Sequence, residues 1–166
     1  MRHLKRIKCR KYDPKDYQFL REMLFEAIFW SRTDDLPSLE EGLSYDYTKH
    51  ILEDFGERKG DIAVIAEIDK VLTGAAFIRY WNKDINTRGY VSDDIPVLVI
   101  GVAKQFRRQG IGNALLESLK SVAKENGIHK ISLCVTKGNI AYHLYTKQNF
   151  KIVEEIESSY NMVWES

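Results

Sequence analysis

One segment in the second half of the chain constrains the fold most. Its first part, Val97–Val102, is an almost uninterrupted apolar run, which is typical of a strand buried on both faces of a sheet. A turn rich in basic residues follows at 104–109, and apolar residues then recur at helical spacing over 110–126. A buried strand, a tight turn and an amphipathic helix in this order predict a layered α/β structure.

The rest of the chain alternates helical patterns with short β-rich runs. Asp13 followed by Pro14 predicts the start of a first helix that continues to about Trp30. The other predicted elements are a basic first strand within 1–11, a second helix at 45–55, strands at 62–68, 71–81, 130–136, 151–157 and 160–164, and a short helix at 139–148. This order predicts a mixed α/β sheet with helices on both faces.

Length and composition narrow the class of protein. The 166 residues predict a single domain over 1–166, and 44% hydrophobic residues can form its core without disulfides or metals. Lys and Arg total 25 against 24 Asp and Glu, which argues against a general nucleic-acid binder. Two cysteines, no metal-ligand motif, no signal peptide and no long apolar span lead us to expect a cytoplasmic protein without a metal or a membrane partner.

The turn before the long helix has the composition of an anion site. A helix N-terminus presents unpaired N–H groups, and glycines at 110 and 112 allow a phosphate to approach the backbone. Lys104, Arg107 and Arg108 add positive charge there, although a strand-to-helix turn with solvated basic residues fits this fragment equally well. Neither the Walker A pattern nor the dinucleotide fingerprint is present, the latter because Leu115 stands where a small residue is needed.

Two motifs in the second half carry a family resemblance. Arg-Arg-Gln-Gly-Ile-Gly at 107–112 resembles the pyrophosphate loop of the GNAT superfamily of acetyl-CoA-dependent N-acetyltransferases. Asn-Ile-Ala-Tyr-His-Leu-Tyr at 139–145, continuing to Phe150, resembles the family's Asn-x-Ala-x-x-Leu-Tyr-x-x-x-Gly-Phe helix, with Asn149 in place of the usual glycine. Asn tolerates the left-handed conformation, so we expect that turn to persist. The resemblance implies the GNAT fold, which is an α/β fold with a mixed, mostly antiparallel central sheet of about six to seven strands and helices on both faces. It also implies acetyl-CoA as acetyl donor and an amine acceptor.

The resemblance also implies roles for individual residues. The residues implied to bind acetyl-CoA are Ile100, Gly101, Val102, Arg107, Arg108, Gln109, Gly110, Ile111, Gly112, Asn113, Asn139 and Tyr145. In the family the amine attacks the thioester directly, and the residue matching Tyr145 acts as the general acid to the departing thiolate. From the residues alone, Asn139 fits an ordinary helix cap and Tyr145 an amphipathic core residue. Cys134 is expected to be a small buried residue of its strand.

The general base is less clear from the sequence. Many relatives carry Glu at the start of the cofactor strand, where this chain has Val97. Asp93, Asp94 and Glu67 are the alternative candidates, although a polar turn leading into Pro96 accounts for the two aspartates and ordered waters can replace a base.

The acceptor is expected to lie near the first helices, against Phe29 and Trp30 and near Tyr80. Tyr45, Tyr47 and Trp81 are further aromatic candidates in this region. Residues 34–54 hold seven acidic residues and one lysine, a local charge of −6, so we expect an acidic mouth that favours a cationic or primary-amine acceptor over an acidic one; a solvated acidic helix is the alternative.

Other functions on the same fold remain open at this stage. The missing Glu at position 97 fits a CoA-binding sensor without turnover, and the same cofactor site fits a longer acyl donor or a protein acceptor, either an N-terminus or a lysine. Whether the chain acts as a homodimer is also left open.

Overall fold

A seven-stranded sheet forms the centre of the protein in the computed structural model, which describes residues 6–85 and 87–166. The strands are β1 Ile7–Lys11, β2 Ile62–Ile68, β3 Val71–Arg79, β4 Val97–Val102, β5 Lys130–Thr136, β6 Lys151–Ile156 and β7 Ser159–Glu165. The helices are α1 Tyr17–Ile28, α2 Leu39–Gly42, α3 Ile111–Glu125 and α4 Ala141–Lys147. The strand order is β1-β2-β3-β4-β5-β7-β6, and only the β4–β5 pair is parallel. The predicted mixed, mostly antiparallel sheet is confirmed, while residues 1–5 of the predicted first strand lie outside the described residues.

The alternation along β2 divides the core into two layers. Val64 belongs to the cluster under α3, together with Leu115 and Leu119 of that helix. Ile65, its neighbour in the strand, belongs to the cluster under α1, together with Leu24. Successive strand residues point to opposite faces, so one strand contributes to both layers and the helices cover both sides of the sheet.

The predicted helix at 45–55 is wrong. These residues form successive turns, and the acidic helix α2 lies earlier, capped by the Ser38 hydroxyl. The physical reason is tertiary: Nη1 of Arg79 donates to the carbonyl oxygens of Ile51 and Glu53. A helix over 45–55 would pair the Ile51 carbonyl with the Phe55 N–H, which here donates to the Leu52 carbonyl instead. Asp54 also adopts a left-handed φ of 53°.

The predicted turns are confirmed by their backbone angles. Asp69 and Lys70 join β2 and β3 with φ of 49° and 66°, which is the two-residue hairpin geometry. Asn149 has φ of 68° and so takes the conformation that glycine adopts in the motif. No helix in the described ranges has the length and apolar character needed to cross a membrane.

Candidate active site

A cleft opens where β4 and β5 separate. The two strands pair only at Val97 and Ser132, with the Ser132 N–H donating to the Pro96 carbonyl at 2.9 Å. Beyond this point they diverge, as the resemblance implies, and a cleft of about 790 Å³ follows the gap between them. This volume is typical of sites that bind a small molecule or cofactor.

The β4 wall exposes the edge of a strand. Residues of β4 pair with β3 along one edge, and the other edge borders the cleft beyond Val97. Ile100, Gly101 and Val102 all line the cleft, so their main-chain groups are available to an extended ligand. Gly101 allows α1 to approach closely, because a Cβ there would lie 2.2 Å from the Met23 carbonyl oxygen.

The start of α3 forms one end of the cleft. Gly110 occupies the N-cap position with φ of 85° and provides no side-chain cap, and the first helical hydrogen bond runs from Ala114 N–H to the Gly110 carbonyl. The N–H groups of Ile111, Gly112 and Asn113 precede that bond and point toward the N-terminal end of the helix. This end therefore combines unpaired donors with the positive end of the helix dipole.

The charges around this turn are only partly available to a ligand. Arg107 donates from Nη2 to Glu26 at 2.9 Å and from Nε to the Val102 carbonyl at 3.2 Å, which ties the turn to α1 and β4. Arg108 lines the cleft in a left-handed conformation with φ of 64°. Gln109 is exposed and is not part of the cleft wall.

The opposite wall comes from α4 and the turn before it. Asn139 accepts a hydrogen bond from Ala141 N–H at 2.9 Å, so it caps the helix while also lining the cleft. Tyr145 lines the same wall, is 8% exposed and packs edge-on against Phe150. Burial raises the pKa of the Tyr145 hydroxyl well above its ordinary value of 10.0, so it stays protonated at neutral pH.

The aromatic residues expected near the acceptor separate into two groups. Trp30, Tyr47 and Trp81 line the cleft. Phe29 is buried against Phe25 and does not. Tyr80 lies over Gly60 and lines a second, smaller pocket on the surface. The sequence predicted that these residues lie in one region, but it could not show which aromatic side chains line the cleft and which are buried elsewhere.

The candidate bases lie away from the cleft. Asp93 accepts a hydrogen bond from the Tyr90 hydroxyl, and Asp94 borders the smaller pocket beside Tyr80. Glu67 accepts a hydrogen bond from Arg10 at 3.4 Å. Val97, where the family usually has Glu, is buried at the start of the cleft wall.

The expected acidic mouth is wrong for the described cleft wall. None of the seven acids between 34 and 54 lines the cleft. Three of them form ion pairs elsewhere on the surface: Glu40 with Arg21, Asp46 with Lys49 and Glu53 with Arg58. Among described residues the carboxylate on the wall is Glu26, which Arg107 already engages.

Sequence reasoning missed a polar group on the β5 wall. Cys134 was expected to be buried, but it is half-buried and lines the cleft, whereas its neighbour Leu133 borders the cleft and is buried in the core. Arg88 crosses from the β3–β4 loop and donates from Nη2 to the Cys134 sulfur at 3.3 Å. A single arginine in a polar loop carries no pattern that predicts this position. Across the described ranges, no cluster of three or more side chains suited to a metal ion is found.

Comparisons with a family model and with known proteins both identify acetyltransferases as similar to this chain. The acetyltransferase (GNAT) family model matches residues 25–150. The chain is 42% identical over 59 residues to N-alpha-acetyltransferase 60 of Danio rerio, and the match spans 33% of this chain but only about a quarter, 24%, of that relative.

Solved structures share the fold over nearly the whole chain. A GNAT-family acetyltransferase from Streptococcus pneumoniae has a TM-score of 0.66 at 22% identity, covering 97% of this chain and 100% of its own. The PaiA N-acetyltransferase from Thermoplasma acidophilum, solved in complex with coenzyme A, has a TM-score of 0.70 at 19% identity, covering 97% and 99%. The sheet with its divided strand pair is therefore a shared architecture.

Proposed function

The chain belongs to the GNAT acetyltransferase family, and we propose that it transfers the acetyl group of acetyl-CoA to a primary amine by direct attack in a ternary complex. The observation that carries the proposal is the cleft itself. It joins an unpaired helix N-terminus, a free strand edge and a buried, protonated tyrosine on one continuous surface. These three features match the three parts of acetyl-CoA: pyrophosphate, pantetheine arm and thioester.

Each part of acetyl-CoA is assigned to a described part of the cleft wall in this proposal. The N–H groups at 111–113 and Arg108 would bind the pyrophosphate, whose negative charge suits the helix N-terminus. The β4 edge at 100–102 would hydrogen-bond the pantetheine amides as an added strand does, with Asn139 on the facing wall. In the reaction the amine nitrogen bonds to the thioester carbonyl carbon and the C–S bond breaks.

Tyr145 is proposed as the acid at the sulfur. Its raised pKa keeps the proton on the hydroxyl, which can then donate to the sulfur as negative charge develops there. The proton lost by the amine leaves through water, since the described wall offers no carboxylate free of an ion pair.

The lack of a free base on the wall bears on the amine. A lysine-like amine with pKa near 10.4 requires about 4.6 kcal/mol to become neutral at pH 7. An α-amine with pKa near 8 requires only about 1.4 kcal/mol. An acceptor that already carries a neutral nitrogen at pH 7 to 8 therefore reacts most readily.

A thiol-release assay with acetyl-CoA and a panel of amines tests the proposal, with calorimetry of acetyl-CoA binding alongside. Gly110→Glu should abolish binding, because it places bulk and negative charge at the helix N-terminus. Gly127→Glu is the matched control, since Gly127 also has a positive φ and open space but lies at the other end of α3. Unchanged affinity in Gly110→Glu would refute the phosphate site.

A peptide N-terminus is a second candidate acceptor. The local similarity to N-alpha-acetyltransferase 60 favours it, and the low cost of deprotonating an α-amine agrees. Peptides with free and blocked N-termini, assayed beside small amines, separate the two acceptors. Tight acetyl-CoA binding with no thiol release from any amine, in both the native protein and Tyr145→Phe, would favour the sensor function instead.

A further inference from the structure

Arg88 is a cation on the cleft wall without a carboxylate partner in the described residues. Its Nη2 donates to the Cys134 sulfur and the Thr136 hydroxyl at 3.3 Å each and to the Ser159 hydroxyl at 3.1 Å. None of the three acceptors is a carboxylate, so no carboxylate among the described residues compensates the positive charge. Arg88 is exposed, and it borders the cleft.

The guanidinium also has donors to spare. An arginine carries five N–H hydrogens, arranged as a fork that matches a carboxylate. The three hydrogen bonds to the protein use Nη2 alone, and they hold the group against β5 and β7. Nε and Nη1 remain as donors for a ligand, and each can make a single charge-assisted hydrogen bond to an anion. The group is thus held in place with donors unused, which lowers the entropy cost of binding an anion.

The position of Arg88 assigns it to the acceptor half of the cleft. It contacts the side chains of Cys134 and Thr136, which lie on one face of β5. Tyr145 belongs to the same core cluster as Leu133 and Val135, which alternate with Cys134 and Thr136 along β5 and so point to the other face. The cation therefore lies across the strand from the proposed acid at the sulfur and away from the α3 N-terminus.

Three aromatic side chains and one unsatisfied hydroxyl share the cleft with Arg88. The aromatic residues are Trp30, Tyr47 and Trp81. The Thr87 Oγ1, next in the chain, is buried on this wall and has no hydrogen-bond partner among described residues. Buried hydroxyls are normally satisfied, so an orphaned one beside an uncompensated cation indicates a missing polar ligand.

Resting on the proposed acetyl transfer, we infer that the acceptor is a small amine bearing a carboxylate, such as an α-amino acid, and that Arg88 binds this carboxylate. The aromatic wall would take an apolar side chain. A fixed cation on the wall also disfavours acceptors with a second ammonium group, so polyamines are poor acceptors. This reverses the preference expected from the acidic segment.

Matched pairs of acceptors test the inference: L-phenylalanine, L-methionine and L-leucine, each as free acid and as carboxamide, assayed for thiol release from acetyl-CoA. We expect kcat/KM at least tenfold higher for the acids. The comparison is stringent because converting the carboxylate to a carboxamide lowers the pKa of the amine. At neutral pH the carboxamide therefore has more of its amine in the neutral, nucleophilic form, which by itself would favour the amide. Arg88→Gln should abolish the preference for the acids while acetyl-CoA affinity, measured by calorimetry, stays unchanged.

Lys83→Gln provides the matched control, since it removes one positive charge from the same loop at an exposed position off the cleft wall. It should leave the preference intact. Amides equal to or better than acids, no activity with any of the six compounds while other amines do release thiol, or an Arg88→Gln variant that loses acetyl-CoA affinity would each overturn the inference. Peptide N-termini as the only acceptors would overturn it as well.

Failure of the proposed function gives a different result. In that case no amine releases thiol, and calorimetric titration of the CoA-bound protein with the same six compounds decides the role of Arg88. Tighter binding of the acids, lost in Arg88→Gln, supports the carboxylate site. Equal or absent binding of acids and amides refutes it.

Discussion

Replacing Arg79 by methionine should destabilise the protein strongly and weaken the acceptor side of the cleft. Arg79 is 1% exposed, and its Nε and Nη2 donate to the two oxygens of Asp61 at 2.9 and 2.8 Å. Its Nη1 donates to the carbonyls of Ile51 and Glu53 at 3.1 and 2.7 Å. The side chain thus fastens the turns that carry part of the acceptor wall to the end of β3.

The magnitude follows from what the substitution leaves behind. Methionine fills much of the volume, but the Asp61 carboxylate, itself 1% exposed, loses its only cationic partner in the described residues. Removing one member of a buried ion pair costs about 3–5 kcal/mol. At about 2–4 °C per kcal/mol for a chain of this size, the midpoint of thermal unfolding should fall by about 6–20 °C.

Urea unfolding followed by circular dichroism measures this cost. Arg21→Met is the matched control, because its partner Glu40 is exposed and the pair should contribute at most about 1 kcal/mol. Adding Asp61→Asn to Arg79→Met should recover part of the loss by removing the buried charge. A cost below about 1 kcal/mol for Arg79→Met, or a double variant no more stable than the single one, would refute the reasoning. In the surviving folded protein we expect a raised KM for the acceptor with acetyl-CoA affinity unchanged.

Three further changes test the cleft and the first helix. Tyr145→Phe should lower kcat by about 10²–10⁴-fold with unchanged acetyl-CoA affinity in calorimetry, because it removes only the proposed proton donor. Gly101→Ala should cost about 1–3 kcal/mol in urea unfolding and weaken acetyl-CoA binding, because its Cβ would meet the Met23 carbonyl oxygen at 2.2 Å. Asp16→Asn should destabilise the protein at pH 7 but much less at pH 3, as measured by urea unfolding at each pH. The hydrogen bonds from Arg10 hold the pKa of Asp16 below its ordinary 3.8, so its stabilisation is present above about pH 4 and is lost as the pH falls through the lower folded value.

Each of these changes has a control in the chain. Tyr142→Phe alters the same helix off the cleft wall and should keep full activity. Gly112→Ala meets only the flexible end of Leu144, at 2.8 Å, and should cost less than Gly101→Ala. Asp46→Asn removes an exposed carboxylate and should leave the pH dependence unchanged. A Tyr145→Phe variant with native kcat, or equal costs for the two glycine variants, would contradict the assigned roles.

The cofactor half of the site was predictable because its signals are local. A buried strand, the glycines at 110 and 112 and the motif at 139–145 lie in consecutive elements, and each element forms from interactions among near neighbours in the chain. Turn residues are also local signals: Asp69, Lys70 and Asn149 all adopt the positive φ that tight turns require. The mostly antiparallel sheet with helices on both faces followed from the resemblance built on these elements.

The acceptor half was not predictable in the same way. The local sequence pattern at 45–55 predicted a helix, but these residues form turns. The pattern could not show that Arg79, which is distant in the sequence, donates hydrogen bonds to two main-chain carbonyls of this segment. The acidic residues between 34 and 54 suggested a negatively charged cleft mouth. Three of them form ion pairs on the surface instead, and none of the seven lines the cleft.

By itself, then, the sequence determined the fold family and predicted the residues of the proposed donor site and acid, because strands, caps and glycine turns are set by residues close together in the chain. Only the tertiary structure decided which side chains line the part of the cleft proposed for the acceptor. Phe29 and Trp30 are neighbours, yet one is buried and the other lines the cleft, and Arg88 reaches the wall only because its loop packs against β5. The sign of the charge at the acceptor end depends on packing between distant segments, which net composition and local charge runs do not encode.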